Sequence, residues 1–174
     1  MRAPTNYAGP RRKVKKPKQF SQSLATKLSA QISDVRQILK SKGSRVVSVS
    51  GTDSVQSTIN LLHKERIGAV LVLGEAGEIE GILSERDIIR RLADLGSSLV
   101  EGQVGDIMTR EVKTCAPDEP LARVLQTMTE GRFRHLPVVE DDRLIGIITI
   151  GDVVKRRVEE LEMETLGMKQ VIVG

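Results

Sequence analysis

The sequence predicts an α/β (α+β) fold of two β-α-β-β-α repeats that pack on each other, preceded by a basic tail. Three observations predict it. An order of elements that begins at residue 34 begins again near residue 104. Aliphatic runs of strand length alternate with segments whose apolar residues recur at helical spacing. One signature, Gly, two aliphatics, a hydroxyl, two variable residues and Asp, occurs as Gly81-Ile82-Leu83-Ser84-Glu85-Arg86-Asp87 and again as Gly146-Ile147-Ile148-Thr149-Ile150-Gly151-Asp152.

Residues 1–33 read as a disordered basic tail. They hold eight of the 27 basic residues and none of the 23 acidic ones, and Arg11 to Lys18 is a dense block bracketed by Pro10 and Pro17. Such a block repels itself and buries little. Repeat 1 is assigned to residues 34–99. Val35, Ile38 and Leu39 have helical spacing, and Lys42-Gly43 ends that turn. Val46 to Val49 reads as a short strand. Thr52-Asp53 reads as the N-cap of a helix through His63, with Val55, Ile59 and Leu62 as its buried stripe. Ile67 to Leu73 is a continuous apolar strand, Gly74 to Gly77 a hairpin turn, and Ile79 to Leu83 the return strand. Ser84 opens a helix through Ala93, with Gly96 after its end.

Repeat 2, residues 100–162, follows the same order. Val104 to Met108 matches Val35 to Leu39, Val112 to Cys115 matches Val47 to Ser50, and Pro117-Asp118 matches Thr52-Asp53. The helix with Leu121, Leu125 and Met128 matches the one with Val55, Ile59 and Leu62. Arg132 to Val139 matches Arg66 to Leu73, a hairpin turns at Asp141-Asp142, and Leu144 to Ile148 returns. Thr149 opens the last helix, to about Glu162, leaving 163–174 as a C-terminal extension. A unit of about 60 residues rarely holds an adequate core alone, so the two copies are expected to pack together.

Composition narrows the function. With no Trp, one Tyr and two Phe among 174 residues, the core must be aliphatic. No apolar run approaches the length of a membrane span, and no secretory h-region is visible. The single Cys115 cannot form an intrachain disulfide, which fits a reducing compartment. After the tail, 19 basic residues face 23 acidic ones, so the folded part is mildly acidic. Cys115, His63 and His135 form neither a zinc set nor a triad with an orienting third group, and no phosphate-binding glycine motif occurs. The expectation is a non-catalytic protein with no metal.

The twin motif has two readings. Ser84-x-x-Asp87 and Thr149-x-x-Asp152 are capping-box patterns, which most often serve only the helix end. Each box also follows a strand directly, so a helix N-terminus sits at a sheet edge, where amides and dipole can hold a phosphate. The acid is Asp both times, and a short carboxylate beside such a turn suits a ribose diol. Arg86 adds a cation in the first copy, where the second has Gly151. Arg132, Arg134 and His135 enter the second copy's strand. They are either solvated groups or groups aimed at a shared cleft.

The duplicated unit with twin Gly-Ile-x-(Ser/Thr)-x-x-Asp motifs resembles a tandem CBS-domain pair, the Bateman module, of the stand-alone type. Arg132-Phe133-Arg134-His135-Leu136-Pro137-Val138-Val139 and Ile145 to Lys155 are typical of it, and the resemblance covers roughly 34–160. It implies two repeats packed with pseudo-twofold symmetry, two clefts for adenosine-containing ligands (AMP, ADP, ATP, NAD(H) or S-adenosylmethionine), and a homodimer formed through helices. It implies that Asp87 and Asp152 hold ribose hydroxyls, and that Ser84 and Thr149 bind phosphate or a neighbouring oxygen with help from Arg86. Backbone around Ala69 and around His135 to Pro137 would line adenine, with Ile82 and Ile147 beside it. Arg134 and His135 are assigned to the ligand phosphate. The first motif is expected to be the better-equipped site.

These readings define a regulatory sensor in the cytoplasm, or in an organelle matrix if residues 1–33 are a presequence, acting on an unidentified partner protein. The rival is a dimerisation scaffold whose residues 11–18 bind nucleic acid.

Overall fold

The computed structural model describes residues 33–173, with side chains through residue 163; the tail expectation for 1–33 lies outside the described residues but for Ser33. The elements in order are α1 (Val35–Lys42), β1 (Ser48–Val49), α2 (Val55–Glu65), β2 (Ala69–Leu73), β3 (Ile79–Ser84), α3 (Glu85–Leu95) and a 3₁₀ turn (Gly96–Glu101). Then come α4 (Val104–Ile107), α5 (Leu121–Gly131), β4 (His135–Glu140), β5 (Arg143–Thr149) and α6 (Ile150–Val173). The mixed α+β class and the repeated order are as the sequence predicts.

Each repeat builds a small sheet. In the first, β1 pairs parallel with β2 and β2 pairs antiparallel with β3, Ala69 opposite Ser84 and Leu71 opposite Ile82. In the second, β4 and β5 pair antiparallel in the same register, His135 opposite Thr149 and Pro137 opposite Ile147. The Asp141-Asp142 turn has φ of 48° and 59° at its two residues, the positive values that match a two-residue turn to strand twist.

Several boundaries differ from expectation. Ser54, not Thr52-Asp53, caps α2: its side chain accepts from Ser57 N, while Asp53 accepts from Ser50 N instead. Pro120, without a side-chain bond, precedes α5. The strand expected at Val112 to Cys115 reduces to one parallel bridge, Cys115 with Val138. That bridge aligns Cys115 with Val49, one residue off the sequence match, so a small buried thiol fills a strand-valine position. The last helix continues past Glu162 to Val173.

The cores show how the copies pack. Val35 and Ile38 of α1 are buried with Leu121, Val124, Met128, Leu136, Val138 and Ile148 of repeat 2. Val104 and Ile107 of α4, with Met108 just after it, are buried with Val55, Leu62, Val70, Val72 and Leu83 of repeat 1. The repeats therefore exchange their first helices, so neither core is complete without the other copy. Reciprocal backbone bonds fix the exchange: Leu121 N donates to Ser33 O at 3.2 Å, and Val55 N to Gly102 O at 3.0 Å. Each motif glycine accommodates the exchanged helix. A Cβ at Gly81 would lie 2.5 Å from Met108 Sδ, and one at Gly146 2.7 Å from Leu39 Cδ2.

Candidate functional site

Helix exchange brings each signature motif against the opposite repeat. In repeat 1, Ser84 is both the last residue of β3 and the N-cap of α3. Asp87 Oδ2 accepts from Ser84 N at 3.0 Å and from Ser84 Oγ at 2.5 Å, and Asp87 N donates to Ser84 Oγ at 3.4 Å. In repeat 2, Asp152 Oδ2 accepts from Thr149 N at 2.8 Å and from Thr149 Oγ1 at 2.9 Å. Both motifs are thus genuine capping boxes.

The first turns of these helices are less open than the sequence suggests. Glu85 N donates to Gly68 O at 3.1 Å and Ile150 N to Arg134 O at 2.9 Å, while the hydroxyls take Asp87 N and Asp152 N. Those amides are already used, so binding a phosphate falls mainly to side-chain cations.

Such cations gather at the first motif. A cavity of about 330 Å³ opens between Ile82, Ser84, Arg86 and Asp87 of repeat 1 and Thr109, residues 111–113 and residues 131–135 of repeat 2. Its volume lies at the lower end of the range for small-molecule sites. Arg86, Arg90, Lys113, Arg132 and Arg134 line it, against the carboxylates of Asp87 and Glu111. Arg86 Nη1 donates to Arg132 O at 2.8 Å, spanning the two repeats. Arg132 itself has φ 55° at the C-terminal cap of α5, a left-handed conformation that disfavours a side chain. Among the described residues Asp87 has no ion-pair partner.

The second motif is divided. Thr149 and Ile147 line a cavity of about 250 Å³ with Ala69, Arg66 and Lys42, whereas Asp152 lies in a separate groove with Lys155 and Arg156. Lys42 Nζ donates to Asp152 Oδ2 at 2.5 Å, between the two spaces. Burial raises the Asp152 pKa, but the Lys42 ammonium and the Thr149 amide and hydroxyl outweigh it and hold it below the ordinary value.

His135 borders both the first cavity and the smaller second one. Burial chiefly, then Arg134 and Lys42, lowers its pKa below the ordinary 6.5, against an opposing pull from Asp152. Cys115 is buried, and burial with the Glu119 charge pushes its thiol up to about 12. Among the described residues no group of three or more His, Cys, Asp or Glu is arranged to hold a metal ion.

Of the residues the sequence singles out, Ile82, Ser84, Arg86, Asp87, Arg134 and His135 share the first cavity. Ala69, Ile147 and Thr149 share the second with His135, and Asp152 is separated from them. Pro137 is buried within β4, accepts Cys115 N at 3.0 Å, and lines none of these spaces. Sequence reasoning missed Arg90, Lys113, Phe133 and Lys42. Arg90 lies four residues after Arg86 on α3, a signal that spacing alone offers. Lys113 and Lys42 reach their cavities only through the helix exchange, which no local pattern announces.

Comparison with known proteins agrees with the repeated fold. The family model described as "CBS domain" matches residues 32–94 and 104–159. A mitochondrial CBS domain-containing protein of Arabidopsis thaliana is 37% identical over 157 residues, covering 84% of this chain and 73% of the relative. A CBS-domain containing protein from Agrobacterium tumefaciens superposes with a TM-score of 0.71 at 40% identity, covering 72% of this chain and 94% of that one. The CBS domain pair of protein MJ0100, solved in complex with 5'-methylthioadenosine and S-adenosyl-L-methionine, superposes with a TM-score of 0.66 at 28% identity, covering 74% and 98%.

Proposed function

The chain belongs to the CBS-domain family as a tandem pair, and on that premise we propose that it is a non-catalytic sensor of a phosphorylated adenosine ligand. The observation that carries the proposal is the first cavity, which places an unpaired Asp87 carboxylate beside five cationic side chains. Asp87 suits the ribose diol, Ser84 the adjoining oxygen, and Ile82 with Phe133 the adenine face. Arg86, Arg132, Arg134 and Lys113 suit phosphate oxygens through charge-assisted hydrogen bonds.

The charge balance ranks the ligands. AMP, ADP, ATP and NADH bring anions into a cationic site, whereas S-adenosylmethionine brings a sulfonium that those same groups repel. The ligands of the MJ0100 pair support the adenosine part of the reading. Thermal unfolding with equal concentrations of AMP, ATP, NADH and S-adenosylmethionine tests it. A ligand at 100 times its dissociation constant adds about 2.7 kcal/mol of stability. Stabilisation by a phosphorylated ligand, lost in Asp87→Asn, is expected. No shift with any of the four, or a shift with S-adenosylmethionine alone, would contradict the proposal.

A second observation bears on assembly. Ile89, Leu92 and Leu95 on α3, and Val154, Val158 and Leu161 on α6, are exposed apolar residues at helical spacing. These faces suit a homodimer through helices, and light scattering of wild type against Ile89→Asp/Val158→Asp checks it. A pure scaffold would use them without any need for Asp87. The mitochondrial Arabidopsis relative supports an organelle matrix, with residues 1–33 as presequence, over the cytoplasm.

A further inference from the structure

The two clefts are built from equivalent residues, yet the space is continuous in one and split in the other. Ile82, Ser84, Asp87 and Arg90 correspond to Ile147, Thr149, Asp152 and Lys155 in the repeat. The first four line one cavity. Of their counterparts, Ile147 and Thr149 line the inner cavity, and Asp152 and Lys155 the outer groove of about 580 Å³. Among the described residues Lys42 alone lines both spaces, and its ammonium sits on Asp152.

The origin of the partition is legible in the chain. Leu39 and Met108 are equivalent, as are Val49 and Cys115, so repeat 1 has three more residues between them than repeat 2. The extra length lets α1 run through Lys42, eight residues, whereas α4 ends at Ile107 after four. Where α4 stops, Thr109 exchanges two backbone bonds with Ile82, at 3.0 and 2.9 Å, and leaves the first cleft open. Where α1 continues, its added turn carries Lys42 across the second cleft. The basic Lys40 and Lys42 in that last turn also suit the negative end of the helix dipole.

We propose that the second cleft is a latent site for the same class of phosphorylated adenosine ligand, held closed by the Lys42–Asp152 ion pair. This rests on the assignment of the first cleft made above. With Lys42 withdrawn, the inner cavity and the outer groove join, and Asp152 becomes free for a ribose diol as Asp87 already is. Cations are supplied from elsewhere in place of the missing Arg86 counterpart: Arg66 from the inner cavity, and Lys155 and Lys40 from the groove. The chain therefore reports on one ligand per copy until something displaces Lys42.

Titration calorimetry with AMP, and separately with ATP, tests this on the full chain. Wild type binds one ligand per chain, Lys42→Met binds two, and Lys42→Arg, which keeps the pair, stays at one. The double variant Lys42→Met/Asp87→Asn binds one, at the second cleft, and adding Asp152→Asn removes it. Met preserves the methylene stem of Lys42, and circular dichroism of each variant establishes that it is folded. One ligand in Lys42→Met, two in wild type, or none in Lys42→Met/Asp87→Asn overturns the latch while leaving the first site standing. No binding of either nucleotide by wild type or by any variant overturns both assignments.

Discussion

Arg132 ends α5 in a left-handed conformation, φ 55°, a place where glycine is the usual residue. A side chain there costs roughly 1–2 kcal/mol. Replacing it with glycine removes that cost but restores freedom to the unfolded chain, worth about 0.5–1 kcal/mol. Arg132→Gly is therefore expected to leave stability unchanged or raise it by up to about 1.5 kcal/mol, a rise of a few degrees in the unfolding midpoint. The Arg86 bond to Arg132 O survives, because that acceptor is backbone. Ligand binding moves the opposite way. The lost guanidinium forfeits one charge-assisted bond, about 1.5–3 kcal/mol, so the phosphorylated ligand binds roughly ten- to hundred-fold more weakly. Arg66→Gly is the control, since Arg66 holds the same conformation, φ 54°, but faces the second cleft. It should match Arg132→Gly in stability and wild type in affinity. Denaturant unfolding and calorimetry on the three proteins decide the matter. A destabilisation above about 1 kcal/mol in Arg132→Gly, or an affinity equal to wild type, refutes the reasoning.

Three further outcomes follow from the packing and the titrating groups. Gly81→Ala drives a Cβ against Met108 and within 3.1 Å of Thr109 O, so a loss of about 1–3 kcal/mol is expected in urea unfolding. At Gly146→Ala the three nearest atoms all belong to the flexible Leu39 side chain, so it should lose less; equal or reversed losses would contradict the exchanged-helix packing. Cys115→Val should change stability by no more than about 1.5 kcal/mol, and the native thiol, raised to about 12, should resist a disulfide reagent at pH 8 until the chain unfolds. His135 has its pKa lowered in the fold, so the unfolded chain takes up the proton first. Its contribution is complete above pH 6.5 and declines as pH falls through that value towards the folded one. His135→Gln should flatten this limb of the stability profile, and an unchanged slope would argue against a buried neutral imidazole.

Much of this molecule is legible in one sequence because it says the same thing twice. The paired hairpin strands and both capping boxes rest on local spacing and form where it puts them. The stripes of α2 and α5 hold at Val55, Leu62, Leu121 and Met128, but Thr58 and Val124 are buried where the spacing predicts Ile59 and Leu125, and those two are only half-buried. The errors lie where local rules leave a choice. Three residues around position 53 can each cap α2, and Ser54 prevails because its hydroxyl reaches Ser57 N. The Val112 to Cys115 stretch has the residues of a strand, but only Cys115 meets a partner, at Val138. The exchange of α1 and α4 leaves no local trace at all, since Val35 and Val104 look equally fit for either core. That exchange delivers Lys113 to the first cleft and Lys42 to the second, so the asymmetry between the clefts was readable only in part. The contrast of Arg86 with Gly151 hinted at it; the added turn of α1 explains it.

The central claim is that one ligand site is shared between Ser84–Asp87 of the first repeat and Gly131–His135 of the second. Backbone amide spectra of the 19.1 kDa chain during addition of AMP test this most directly. The account predicts that both segments shift together at one ligand per chain, with the amides around Asp152 little affected. Shifts confined to one segment, or none in either, would contradict it.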